Sequence, residues 1–312
     1  MGTKVVVIVG PTCSGKTDIS LKIAKQIPVE IISADSRQFY KYLDIGTAKP
    51  SAADLQNVKH HFIDEFDPYE EYNVSRFEKD ALKLIDTVFN KGNIPLVVGG
   101  SGLYIKSLID GIFDTVDTDE NYRQELLQLK NKFGNPFLYE QLVKVDPESA
   151  AEMLPQNWKR IMRALEVYHL TGKTIKEHQK NHKREVEVSF VQYGLKWERE
   201  ILYKNIEQRV DEMIKTGLVD EVKKLLSKGY DKNLNSLNTV GYKEIISYID
   251  GEITIERAVE LIKRNTRRYA KRQMTWFNGD NRINWLDVSS KNDIDIAAEK
   301  IISIEGFYER KN

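Results

Sequence analysis

The residues with the clearest chemical meaning lie near the N-terminus, where two glycines flank four residues and a lysine and a threonine follow directly. Glycines let the backbone curl so that several amides point at one anion, and the N-terminus of a following helix adds partial positive charge. Lys16 supplies a full charge, and the Thr17 hydroxyl can bind a Mg²⁺ ion that bridges phosphates. We therefore predict that a di- or triphosphate binds here, whichever of its bonds breaks. The predicted diphosphate-binding residues are Gly10, Pro11, Thr12, Cys13, Ser14, Gly15, Lys16 and Thr17.

A carboxylate follows the second apolar run of the chain. Asp35 comes shortly after residues 29–32, and Ser36, Arg37 and Gln38 come directly after it. A carboxylate in this position could hold a metal ion or accept a proton from an attacking group. Aspartate is equally common in turns and at helix N-termini, so position alone leaves both interpretations open. The three polar residues after it are of the kind that contact a polar heterocycle.

A glycine-rich segment ends the next apolar run. Residues 94–98 are followed by Gly99–Tyr104, in which Ser101 offers a hydroxyl group. Glycines there permit a ligand to approach the backbone closely, although a tight turn with positive φ angles would also use them. Because the carboxyl ends of parallel strands meet at one edge of a sheet, we expect this segment, Asp35 and the phosphate loop to converge on one crevice.

Basic residues concentrate in two segments with helical spacing, around 157–167 and 263–272. The second segment has no acidic residue among its basic ones, and Tyr269, Trp276 and Phe277 lie close by for stacking. Such a ridge repels itself unless an anion lies on it, which favours a nucleic acid as partner. The alternative is a solvated helix face, the usual fate of a charge run. The basic residues are Lys159, Arg160, Arg163, Lys263, Arg264, Arg267, Arg268, Lys271 and Arg272.

Strands and helices must alternate to bring these residues together. Short apolar runs at 5–9, 29–32 and 94–98 predict strands that are buried on both faces, as in a parallel sheet. Between the second and third runs, Ser75 and Glu78 predict a capping box at the start of an amphipathic helix. We predict an α/β fold, namely a phosphate-loop NTPase-like parallel sheet flanked by helices.

An inserted helical subdomain interrupts this pattern. Residues 115–185 lack the buried-strand signal and show helical patterns broken by prolines and glycine. Residues 186–193 alternate apolar and polar side chains and return to the sheet, and 283–286 form a last edge strand. The predicted domains are therefore a core of 1–114 with 186–312 and an all-helical insertion that contacts RNA.

Composition excludes several functional classes. Lys plus Arg is 47 and Asp plus Glu is 47, so a purely electrostatic binder is disfavoured. Cys13 is the only cysteine, which excludes an internal disulfide framework and a cysteine-based zinc cluster. The apolar run at 5–9 is far too short for a membrane span, and nothing resembles a secretory signal. We expect a cytoplasmic monomer without a membrane partner.

A series of short sequence blocks runs in order over nearly the whole chain. They are GPTCSGKT at 10–17, DSRQFY at 35–40, DIGTAKP at 44–50, HHFID at 60–64, GGSGLY at 99–104, KRIMRALEV at 159–167, GLVDE at 217–221, VGYKE at 240–244 and RQMTW at 272–276. In these blocks the chain resembles the bacterial tRNA dimethylallyltransferases, also called tRNA isopentenyltransferases. The resemblance implies transfer of a five-carbon group from dimethylallyl diphosphate to the exocyclic amine of the adenosine 3′-adjacent to the anticodon.

The resemblance also implies roles for individual residues. The phosphate loop and a Mg²⁺ ion near Thr17 would stabilise the departing diphosphate, with Arg209 as a further ligand unless it is an ordinary surface arginine. Asp35 would be the general base, with Ser101 hydrogen-bonding nearby as the second catalytic residue. From the resemblance and from the basic ridge at 263–272, we predict contacts with the tRNA anticodon arm. The predicted contact residues are Asp35, Ser36, Arg37, Gln38, Ser101, Arg123, Lys159, Arg160, Ile161, Met162, Arg163, Arg267, Arg268 and Arg272.

Two other functions fit the same motifs. A phosphate-loop small-molecule kinase would bind ATP in the loop and use Asp35 to activate a hydroxyl group. A non-catalytic RNA-binding module would keep the loop for stability alone. Transfer of labelled prenyl groups to tRNA, formation of ADP, and binding without product distinguish the three.

Overall fold

The structure, a computed structural model, describes residues 3–112, 118–181 and 188–305. The chain divides into two compact units, of which one comprises Met1–Ile109 with Val186–Asn312 and the other comprises Asp110–Glu185. The second unit begins a few residues before the insertion predicted at 115–185. The larger unit carries the phosphate loop.

The described strands of the larger unit all lie in one parallel sheet. They are β1 (Thr3–Val9), β2 (Val29–Ala34), β3 (His60–His61), β4 (Ile94–Gly99), β5 (Val188–Trp197) and β6 (Ile283–Val288). The described strands are ordered β3-β2-β4-β1-β5-β6, so β1 is central and β6 is an edge strand. The predicted parallel sheet and its last edge strand are confirmed. Because every neighbour is parallel, the ends of β1, β2 and β4 meet at one edge.

Helices of the larger unit cover both faces of this sheet, and the insertion has helices of its own. In chain order the helices are α1 (Lys16–Ala24), α2 (Ala52–Asn57), α3 (Val74–Asn90), α4 (Gly102–Asp110), α5 (Glu120–Phe133), α6 (Asn135–Val145), α7 (Pro147–Ala150), α8 (Trp158–Thr171), α9 (Ile175–Asn181), α10 (Arg199–Lys215), α11 (Leu218–Ser227), α12 (Tyr242–Ile249), α13 (Ile255–Phe277) and α14 (Lys291–Ile304). None of the helices in the described segments is long and apolar enough to cross a bilayer.

Successive side chains of β1 point into two different cores. Val5, Val7 and Val9 belong to a core that includes residues of α3, α11, α12 and α13. Val6 and Ile8 belong to the opposite core with α1 and α14. This two-sided burial explains why the run is continuously apolar rather than alternating.

The helix after β3 begins earlier than its sequence predicts. Asn73, not Ser75, is the N-cap of α3, and its side-chain oxygen accepts a 2.9 Å hydrogen bond from the Arg76 amide. The predicted capping box of Ser75 and Glu78 is therefore wrong. Ser75 is instead buried within the first turn.

The insertion forms its own small core. Its described elements are helices α5 to α9 and a short 3₁₀ helix at Pro155–Asn157, in agreement with the predicted all-helical character. Leu126, Leu138 and Leu142 are almost fully buried in this core. Ile161 and Leu165 of α8 pack there too, as helical spacing predicts.

Candidate active site

The phosphate loop joins the central strand β1 to helix α1. Gly15 caps α1 with a φ of 86°, a left-handed conformation that glycine adopts without strain. Cys13 adopts a φ of 63°, which is unfavourable for a residue with a side chain. The rest of the protein holds the loop in this shape, because the Trp197 indole donates a 2.9 Å hydrogen bond to the Ser14 carbonyl.

Two cations face the same space beside this loop. Lys16 and Arg209 both line one cavity, and Arg209 comes from α10, far away in the sequence. Burial and the charge of Arg209 lower the pKa of Lys16 to about 8 from its ordinary 10.5, against the opposing effects of Asp35 and Cys13. Two cations that share this cavity favour a bound anion, which would raise the pKa of the lysine again.

Asp35 follows β2 at the same edge of the sheet. Its Oδ1 accepts hydrogen bonds from the backbone amides of Arg37, at 2.9 Å, and Gln38, at 3.4 Å. The next amide, that of Ser36, donates a 3.0 Å hydrogen bond to the Ser101 hydroxyl, which follows β4. The structure therefore brings together the two predicted catalytic residues, and the turn that Asp35 forms also orients its carboxylate.

Gln38 and Arg37 are engaged within the protein. The Gln38 amide donates to the carbonyls of Thr47 and Ala48, at 3.2 and 3.1 Å, and accepts a hydrogen bond from Ser33. The Arg37 guanidinium donates a 2.6 Å bond to the Asn235 carbonyl. Both residues line the cavity, so in this structure they shape its wall.

Segment 44–48, whose carbonyls Gln38 binds, is also held by one carboxylate. Glu221 of α11 accepts hydrogen bonds from the consecutive amides of Asp44, Ile45 and Gly46, at 2.7 to 3.1 Å. The buried Tyr242 hydroxyl donates to the same carboxylate at 2.6 Å. Segment 44–48 is thereby held in place by two helices from the last third of the chain.

The phosphate loop, Asp35, Arg37 and Gln38 line a cavity of about 450 Å³, within the size range of small-molecule sites. The phosphate loop, Asp35 and several cations give it a polar lining. Apolar residues line it as well: Met213 of α10 is partly exposed, whereas Ile206 and Val210, which flank Arg209, are almost fully buried. A ligand with a charged head and a short apolar tail matches this mixed lining.

The oxygen donors of the cavity fit a Mg²⁺ ion. Thr17, Asp18 and Asp35 all line it, and hydroxyl and carboxylate oxygens are the ligands that Mg²⁺ prefers. Among the described residues, no group of three or more His, Cys, Asp or Glu side chains could hold a metal ion. The ion would therefore depend on the ligand's phosphate oxygens together with Thr17, as the sequence predicts.

Comparison with known proteins identifies the family. The family model described as IPP transferase matches residues 38–280. The chain is 45% identical to the tRNA dimethylallyltransferase of Pelotomaculum thermopropionicum over 297 residues, which are 95% of this chain and 94% of the relative. The chain belongs to the IPP transferase family. The resemblance of the sequence blocks and the predicted class, a transferase enzyme, are thus confirmed.

Solved structures of IPP transferases share the fold. The full-length tRNA isopentenylpyrophosphate transferase from Bacillus halodurans is 40% identical with a TM-score of 0.71, over 98% of this chain and 97% of that one. A eukaryotic dimethylallyltransferase acting on tRNA is 29% identical with a TM-score of 0.82, over 98% of this chain and 79% of that one.

The basic ridge of this IPP transferase lies on α13, and its residues differ in their surroundings. Arg267 donates a 2.6 Å hydrogen bond to Glu207, and Lys263 pairs with Asp211, so acidic residues of α10 neutralise part of the ridge. Arg268 and Arg272 are exposed, and Arg272 also lines the cavity. The interpretation that the ridge repels itself unless an anion lies on it is therefore wrong for Lys263 and Arg267.

The predicted RNA contacts of the insertion also differ from one another. Lys159 and Arg160 are exposed, whereas Ile161 and Met162 are buried in the helical core, so we no longer assign side-chain contacts with tRNA to those two. Arg123 and Arg163 both bind the fully buried Glu166 carboxylate, at 2.7 Å. These two arginines keep part of their surface exposed.

Sequence reasoning missed the role of the inner face of α13. Tyr269 lines the cavity, and burial, together with Asp35, raises the pKa of its hydroxyl to about 12 while Ser101 interacts with it. One turn later, the Gln273 side chain binds both Thr12 and Gly100. Another turn on, the Trp276 ring occupies the space beside Gly102. The spacing of 269, 273 and 276 is helical, but only the fold shows what that face meets.

Proposed function

We propose that this chain transfers the dimethylallyl group of dimethylallyl diphosphate to the exocyclic amine of the adenosine 3′-adjacent to the anticodon of tRNA, and releases diphosphate. One observation carries the proposal: a single cavity is lined both by the phosphate loop with Lys16 and Arg209 and by Asp35. A site for a leaving anion and a proton acceptor therefore face the same space. The names of the relatives support the two substrates.

At the donor end, the main barrier is the charge that develops on the departing diphosphate, because an allylic cation is stabilised by resonance. The loop amides, Lys16 and Arg209 stabilise that charge. When bound, Mg²⁺ supplies further positive charge to the diphosphate oxygens, held by Thr17. Met213, which lines the cavity and is partly exposed, offers apolar surface to the five-carbon group.

At the acceptor end, the adenine amine is a poor nucleophile because its lone pair is delocalised into the ring. Asp35 takes the amine proton as the carbon–nitrogen bond forms. Because backbone amides already fix Oδ1, we assign the proton to Oδ2. The Ser101 hydroxyl, which binds the neighbouring amide of Ser36, keeps this turn close to the donor.

The RNA reaches this cavity with one base turned out of the anticodon loop, which costs less than turning one out of a duplex. The exposed Arg268 and Arg272 of α13 bind phosphates of the RNA. The exposed Lys159 and Arg160 of the insertion also bind tRNA. We place the reaction in the cytoplasm. That the protein is a monomer stays a prediction.

Incubation with labelled dimethylallyl diphosphate, Mg²⁺ and unmodified tRNA tests the proposal. Label in the RNA, at the adenosine 3′ to the anticodon, is the expected result. ADP formed from ATP with a small alcohol would instead indicate a kinase. Binding of tRNA without any product would indicate a non-catalytic module.

A further inference from the structure

Gln273 is a buried polar side chain whose two hydrogen bonds both go to substrate-site loops. The residue is 7% exposed and lies on α13. Its Oε1 accepts a 2.8 Å hydrogen bond from the backbone amide of Thr12, and its Nε2 donates a 2.8 Å hydrogen bond to the Gly100 carbonyl. Both ends of the amide are thus satisfied by backbone groups that no regular secondary structure engages.

The two partners lie on adjacent loops, which follow the paired strands β1 and β4 and have different parts in the proposed reaction. Thr12 belongs to the loop that would hold the leaving diphosphate. Gly100 precedes Ser101, whose hydroxyl binds the turn that carries Asp35. Gly100 itself has no room for a side chain, since a Cβ there would lie 2.4 Å from Gln273 Nε2. One side chain therefore connects the donor side to the acceptor side.

We infer that Gln273 is a positioning residue, which sets the distance between the phosphate loop and the Gly99–Gly102 turn. The inference rests on the proposed function, in which the breaking carbon–oxygen bond and the forming carbon–nitrogen bond share one carbon atom. An error in the spacing of the two loops raises the barrier of that step, because reacting atoms must lie in near-attack geometry. The bound tRNA does not sense this spacing, so its affinity stays the same.

Two replacements whose side chains are similar in length to glutamine separate the contributions of the two hydrogen bonds. Gln273→Met fills the same space and loses both hydrogen bonds, and we expect kcat to fall about tenfold or more while the Kd for tRNA changes less than about twofold. Gln273→Glu still accepts from Thr12 but cannot donate to Gly100, and its charge repels the diphosphate. This variant should therefore also raise the KM for dimethylallyl diphosphate. Gln56→Glu, at an exposed position of α2, is the matched control and should behave as wild type.

Gly100→Ala tests the same contact from its other end. The added methyl group displaces the Gln273 amide while Gln273 itself remains, so kcat should fall and Gln273→Met should add little in the double variant. This variant also answers the question if Gln273→Met does not fold, which thermal unfolding monitors.

The inference is overturned if Gln273→Met and Gly100→Ala retain kcat within about twofold of wild type, or if their effects simply add. The proposed function fails separately, if the wild-type protein leaves tRNA unlabelled under the same conditions. The wild-type reaction therefore distinguishes the two failures.

Discussion

The Lys16 ammonium group donates a 2.7 Å hydrogen bond to the Pro11 carbonyl, five residues earlier in its own loop. Burial and the charge of Arg209 hold the pKa of Lys16 at about 8. A bound diphosphate favours the charged lysine, so ligand binding and protonation of this one group are coupled. The coupling makes the phosphate loop sensitive to pH in a range where a typical lysine is not.

We expect the affinity for dimethylallyl diphosphate to fall as the pH rises above about 8, because the neutral fraction of Lys16 grows and binding must then take up a proton. Below that pH the lysine is already charged and the affinity should be level. Lys16→Arg keeps its charge throughout and should lose the decline. Calorimetric titrations from about pH 7 to about pH 9.5 measure the difference. Equal declines in both proteins would assign the proton to another group.

Asp35→Asn should lower turnover by about 10²-fold or more, as the loss of a general base does. The asparagine side-chain oxygen still accepts from the amides of Arg37 and Gln38, so the turn should keep its shape. The Kd for tRNA should therefore barely change. Asp86→Asn, at an exposed position of α3, controls for the lost charge. Turnover equal to that of wild type would remove Asp35 from the mechanism.

The salt dependence of tRNA binding should separate the arginines of α13. Replacing exposed Arg268 and Arg272 together by glutamine removes two potential phosphate contacts, so the slope of log K against log salt should become shallower by about 1.4 to 1.8. Arg267→Gln should leave the slope unchanged, because that guanidinium binds Glu207. Filter binding at several KCl concentrations measures both. Identical slopes for wild type and the double variant would place this face away from RNA.

The insertion depends on Glu166, whose side chain is fully buried. Burial alone would raise its pKa, but hydrogen bonds from Arg163, Arg123 and the Asp119 amide lower it below the ordinary 4.5. The stability that this carboxylate contributes is thus present at neutral pH and is lost as the pH falls through the lowered pKa. Glu166→Gln should reduce the free energy of unfolding by about 3 kcal/mol at pH 7. The difference in unfolding free energy between wild type and Glu166→Gln should narrow below pH 4.5. A difference that is constant with pH would contradict this role of Glu166.

The sequence predicts the central strands of the sheet closely, because continuous apolar runs occur where a strand is buried on both faces. It does not predict β3, whose two histidines carry no strand signal and pair with β2 only in the folded chain. The start of α3 was also missed, since asparagine and serine are both good caps and only the fold selects Asn73. Val186, predicted to begin the return to the sheet, lies outside the described residues.

The residues of the candidate site could be predicted where the spacing of nearby residues in the sequence indicates a function. The phosphate loop, Asp35 and Ser101 follow strands directly, so the topology of the sheet brings them together. The partners of Arg267, Lys263 and Gln273 are far away in the sequence, and no local pattern indicates them. For the same reason, the sequence could not separate the paired arginine of α13 from its exposed neighbours.

The residues that hold the phosphate loop and Asp35 in place are synthesised long after those two parts of the site. Ribosomes synthesise the phosphate loop and Asp35 within the first tenth or so of the chain, but Trp197, Glu221 and Gln273 hold these segments in place. Even β1 gains its second neighbour only when β5 emerges. A nascent chain would therefore carry all of the anion-binding motif before the side chains that hold it in shape have been made.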